Sequence, residues 1–102
     1  MTERLEMLID GARCGASDGG RFESLDPATG APWASVPEAT EEDVDRAVRA
    51  AHRAMTDGPW ARMTPTERGR CLSRLAALMA ERSEELGRIE TRDTGKLFAE
   101  TR

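Results

Sequence analysis

The sequence predicts an α/β segment, a small β meander followed by two or three helices. Three observations carry that prediction. Turn signals, Asp10-Gly11 and Asp26-Pro27-Ala28-Thr29-Gly30, punctuate the first third of the chain. From Thr40 onward the apolar residues leave short extended runs and recur at helical spacing. Reciprocal cap signatures stand at Thr40 and Thr64, where two of the helical runs begin.

Residues 5–37 read as short strands and turns. Glu6 to Gly11 holds the strand formers Leu8 and Ile9 and runs into the Asp10-Gly11 turn. Ala12 to Gly20 holds Gly15, Ser17, Asp18, Gly19 and Gly20, so it should contain a loop. Arg21 to Leu25 is a second strand, with Phe22 as its buried side chain. Pro32 to Val36 is a third, offering Trp33 and Val36 for apolar contact. Ribbons this short need a neighbour, because an isolated hairpin is marginal in water.

The first helix is predicted over 40–56. Thr40 caps it, Asp43 stands three residues on, and Glu41, Glu42 and Asp43 lie near the positive end of the helix dipole. Val44, Ala47, Val48, Ala51, Ala54 and Met55 form a stripe of mostly small side chains. Asp57-Gly58-Pro59 ends this helix, and Trp60 and Met63 fall in a link. A second helix over 65–82 starts with Thr64 as cap, Pro65 in the first position and Glu67 completing the box. Its apolar face is Cys71, Leu72, Leu75, Leu78 and Met79. Ser83-Glu84-Glu85 is a fresh cap or a kink that opens 83–94, with Leu86 and Ile89 inside and Gly95 in the capping position. Residues 96–102 begin a further helix with Leu97, Phe98 and Ala99. No stop signal follows, so the chain is expected to continue.

Composition narrows the function classes. The chain has 102 residues, of which 38% are hydrophobic, 4% aromatic and 33% charged. That balance suits one-sided helices covering something larger. A net charge of -4 with no basic block gives no footing for nucleic acid or an anionic membrane. No apolar run approaches the roughly 20 residues of a membrane span. Met1 to Glu6 lacks the basic and apolar regions of a secretory leader, which makes the cytoplasm the expected location.

Candidate chemical groups are few. Cys14 and Cys71 form no CxxC or Cys/His box, and two free thiols fit better than a disulfide. Gly11-Ala12-Arg13-Cys14-Gly15 is not a dinucleotide fingerprint. Cys71, on the leucine stripe, reads as a small buried hydrophobe, and His52 as a mid-helix surface residue. Arg62, Arg68, Arg70, Arg74 and Arg82 alternate with Glu67, Glu81, Glu84 and Glu85, as on a solvated face. Glu84 and Arg88 are spaced to pair.

Three ordered stretches together resemble the opening of one enzyme family. The first is Leu25-Asp26-Pro27-Ala28-Thr29-Gly30, then Val36-Pro37-Glu38-Ala39-Thr40 leading into Asp43-Val44-Asp45-Arg46-Ala47-Val48. The second is Gly58-Pro59-Trp60 followed by Thr64-Pro65-Thr66-Glu67-Arg68-Gly69-Arg70. The third is Arg82-Ser83-Glu84-Glu85-Leu86, then Ile89-Glu90-Thr91-Arg92-Asp93-Thr94-Gly95-Lys96. Their order and spacing are similar to the amino-terminal segment of NAD(P)-dependent aldehyde dehydrogenases.

That resemblance implies a parent of α/β architecture with a Rossmann-type nucleotide-binding domain, of which residues 1–102 are the amino-terminal part. It implies oxidation of an aldehyde to a carboxylic acid with NAD or NADP, by a full-length homodimer or homotetramer. The family's nucleophilic cysteine, its glutamate, its oxyanion asparagine and its dinucleotide cradle all lie downstream of Gly95-Lys96. No catalytic and no cofactor-binding residue therefore carries over, and the segment alone is expected to be inactive. Two positions match the family's structural cation site, Leu25 through its carbonyl and Asp93 through its carboxylate or carbonyl. Oxygen donors suit a hard cation. The alternative is a free-standing, non-catalytic helical module that binds a protein partner through its apolar stripes.

Overall fold

The structure, a computed structural model, describes residues 2–102; Met1, where the stretch read for a leader begins, lies outside them. Among the described residues five strands precede five helices, against three strands expected. The strands are β1 (Glu3–Arg4), β2 (Met7–Ile9), β3 (Ala12–Cys14), β4 (Arg21–Leu25) and β5 (Pro32–Pro37). The helices are α1 (Glu41–Thr56), α2 (Pro59–Arg62), α3 (Pro65–Glu81), α4 (Ser83–Thr94) and α5 (Phe98–Thr101).

The strands do not form one continuous meander. A mixed three-stranded sheet has the order β1-β5-β4, and β2 and β3 make a separate hairpin. Asp10 and Gly11, at φ 53° and 75°, turn that hairpin. Both values are positive, as a two-residue turn matching the strand twist requires. The tight turn fixes the register, pairing Ile9 with Ala12 and Met7 with Cys14. Ala12 to Cys14 is therefore strand, and the predicted loop is confined to the residues after it.

A second turn joins β4 to β5. Asp26 Oδ1 accepts from the Ala28 amide at 2.8 Å, and the Gly30 amide donates to the Asp26 carbonyl at 2.7 Å. Parallel β1 meets β5 over only two residue pairs, Glu3 with Ala34 and Arg4 with Ser35. Arg21 reinforces this short contact. Its guanidinium donates to the carbonyls of Leu5 at 2.6 Å and Ser35 at 2.8 Å, and to Ser35 Oγ at 2.8 Å. One planar fork thus ties β4, β5 and the end of β1 together.

Both long helices open on reciprocal caps. Thr64 Oγ1 accepts from the Glu67 amide at 3.2 Å, while Glu67 Oε2 accepts from the Thr64 amide at 2.7 Å. The residues read as a link before α3 instead make the short helix α2. Gly58 takes an extended conformation as its N-cap, and Pro59 occupies its first position. Arg68 then donates to the Trp60 carbonyl at 3.1 Å with its guanidinium 5.4 Å from the Trp60 ring, fixing α2 on α3.

Little is buried. Among the described residues the apolar core is Trp33, Ala34 and Ala50. Phe22, expected inside, is half-exposed and lines an open groove with Leu86 and Ile89 of α4. Cys71, expected inside, is exposed, and α3 has no buried residue among its 17. The molecule measures 47 × 37 × 17 Å, a slab with no second layer to receive the α3 stripe.

Close packing occurs where α5 lies on α4. Thr101 Oγ1 donates to the Gly87 carbonyl at 2.9 Å and sits 2.8 Å from Thr91 Oγ1. A Cβ at Gly87 would stand 2.9 Å from the backbone N and Cα of Arg102. In Gly87→Ala, overpacking of about 1–3 kcal/mol opposes a helix-propensity gain of about 1 kcal/mol. We expect α5 to lift from α4, read as faster amide exchange across Phe98–Thr101. Unchanged protection there would show that the contact has room for a methyl group.

Candidate functional site

Of the two residues matched to the cation site, Asp93 lies in the last turn of α4. Helical phase carries Asp93 to the side of α4 that faces the sheet. There its Oδ1 accepts from Ser24 Oγ at 2.5 Å and from Trp33 Nε1 at 3.2 Å. Leu25, next to Ser24, is the last residue of β4, which forms one edge of the sheet. Edge strands present main-chain carbonyls that no neighbouring strand takes. Gly95, in the left-handed conformation at φ 78°, ends α4 against the β4–β5 turn, where an added Cβ would meet Pro27 at 3.3 Å. The site is thus built from one helix end, one strand end and one turn.

A groove of about 440 Å³ opens beside this junction, lined by Phe22, Trp33, Val36, Leu86, Ile89 and Asp93, among others. On another side of α4, Arg92 lies with its guanidinium 5.7 Å from the Trp33 ring and 3.8 Å from Glu3 Oε1. The donors at the junction are carboxylate and carbonyl oxygens, which suit a hard cation in kind. They fall short in number. Among the described residues no three His, Cys, Asp or Glu side chains gather closely enough to hold a metal.

Among the described residues two carboxyl groups are held below their ordinary range, and both belong to helix ends or helix faces. Asp43 is buried, 1% exposed. Backbone N–H groups of Thr40 and Ser17 hold its carboxyl below the usual carboxylate range, outweighing the opposing effect of burial. Oδ2 accepts from the Thr40 amide at 2.9 Å and from the Ser17 amide at 3.0 Å. The Asp43 carboxylate thus does two jobs. It completes the α1 cap and pins the loop before β4 across 26 residues of sequence. Glu84 is held low by the hydrogen bond and charge of Arg88, at 2.6 Å on the same exposed helix face. Perturbed groups often mark active sites, but these two are explained by a cap and a helix-face pair.

The remaining candidates stay apart. Cys14 is half-buried, with Arg46 Nη2 at 3.7 Å from its sulfur. His52 is exposed on α1. No assembled set of nucleophile, base and oxyanion donor emerges from these side chains.

Comparison with known proteins gives a consistent result. The family model described as "Aldehyde dehydrogenase family" matches residues 15–102. Aldehyde dehydrogenase family 2 member B4, mitochondrial, of Arabidopsis thaliana is 43% identical over 96 residues, covering 94% of this chain and 18% of that protein. The crystal structure of an NAD-dependent aldehyde dehydrogenase from Sinorhizobium meliloti superposes with a TM-score of 0.94 at 37% identity, over 99% of this chain and 20% of that one. The NAD+ complex of a Bacillus cereus aldehyde dehydrogenase gives 0.92 at 44% identity, over 95% of this chain and 20% of that one. The chain therefore spans about a fifth of the length of these relatives.

The Asp43 geometry predicts an acid dependence of stability. A carboxyl whose folded pKa is depressed stabilises the fold above its unfolded value, near 3.9, and the effect is lost as pH falls through the folded value. Asp43→Asn should be less stable than the parent at neutral pH, and the gap should close toward acid. Urea unfolding of both proteins across that range would check it. A gap independent of pH would mean that the carboxylate charge is not what holds Ser17 and Thr40.

Proposed function

This chain belongs to the aldehyde dehydrogenase family, and from that premise we propose that it is the amino-terminal part of an NAD- or NADP-dependent oxidoreductase that converts an aldehyde to a carboxylic acid. The carrying observation is the unclosed layer. Leu72, Leu75, Leu78 and Met79 stand exposed along α3, as they would on a segment that packs against the rest of a larger enzyme. Dinucleotide use is supported by relatives whose structures hold NAD+, among them the Bacillus cereus enzyme and a betaine aldehyde dehydrogenase from Staphylococcus aureus. Binding the dinucleotide, attacking the aldehyde and forming a homodimer or homotetramer are assigned to the full-length protein.

In this reading the segment is scaffold and is silent on its own. Hydride transfer needs a cofactor cradle, a nucleophile and an oxyanion site in one place. Incubated with NAD or NADP and a panel of aldehydes, the chain should give no sustained rise in reduced-nicotinamide absorbance. Mixed with a related enzyme lacking the corresponding segment, it should bind and raise that enzyme's turnover. Turnover by the chain alone, or failure to associate, would overturn the assignment. A free-standing interaction module is also compatible with the exposed stripes, but the family match over residues 15–102 favours the enzyme segment. A stop codon directly after Arg102 would shift the balance to the module.

We also propose that the Leu25 carbonyl and Asp93 contribute oxygen ligands to a structural cation, completed by water or by other parts of the enzyme. Support comes from the junction of α4 with β4 and from the hard-donor chemistry of the two groups. In the reconstituted complex, Asp93→Asn should weaken the dependence of thermal stability on added sodium or magnesium. An unchanged dependence would remove Asp93 from the ligand set. The unpaired thiols of Cys14 and Cys71 support a reducing compartment such as the cytoplasm, and recovery of the protein from an oxidising compartment on cell fractionation would count against it.

A further inference from the structure

We draw no further inference here: the strongest candidate, the apolar groove between the sheet and α4 lined by Phe22, Trp33, Val36, Leu86 and Ile89 beside Asp93, belongs to the junction and unclosed surface already described, and nothing else in the structure shows what covers it.

Discussion

More apolar surface is carried by this chain than the chain can bury, and its architecture follows from that constraint. A compact domain of this length has a radius of gyration of about 13 Å; here it is 16.9 Å, with one dimension of only 17 Å. A slab that thin has room for little more than a sheet with a helix laid on it. Val44, Val48 and Met55 on α1 and Leu72, Leu75 and Leu78 on α3 stay exposed, because no second layer lies over them. The hydrophobic effect rewards area removed from water, so these stripes contribute little until another surface covers them. Local hydrogen bonding carries more than its usual share of the organisation.

Those local bonds sit at element ends. The Thr40–Asp43 and Thr64–Glu67 boxes satisfy amides that helices otherwise leave without partners. Arg21 holds a strand contact only two residue pairs long. Asp43 reaches further than its own cap and fastens the Ser17 loop, which turns a helix start into a tertiary tie. Every one of these contacts is polar. They define where elements begin and how neighbours meet, while leaving the broad faces of α1 and α3 unengaged.

What could be read from the residues follows the same division. Both capping boxes, the Asp10-Gly11 turn and the Gly95 cap were legible, because each depends on residues within a few positions of one another. The strands Glu3–Arg4 and Ala12–Cys14 were not. Glu3–Arg4 has no apolar residue and Ala12-Arg13-Cys14 is too short a run to signal a strand; they are strands because β5 and β2 lie alongside them. Cys71 failed for a different reason. Helical spacing identifies a stripe correctly but cannot say whether anything covers it. At the candidate site, Leu25 and Asp93 came from the family resemblance alone. Their neighbours Ser24 and Trp33 carry no local signal, since those hydrogen bonds span 69 and 60 residues.

Asp93 shows how the constraint bears on function. A carboxylate in the last turn of a helix faces the negative end of the dipole, an arrangement that costs a few tenths to about 1 kcal/mol. Ser24 and Trp33 donate to it, and Arg92 is the basic residue of that last turn. Asp43 occupies the opposite and favourable end of α1, and there the fold surrounds the carboxylate with N–H donors. The same residue type therefore meets contrasting electrostatics at the two positions. At Asp43 the protein supplies what the charge requires. At Asp93 a cation would offset both the charge and the dipole, which is the physical case for the ligand role proposed for it.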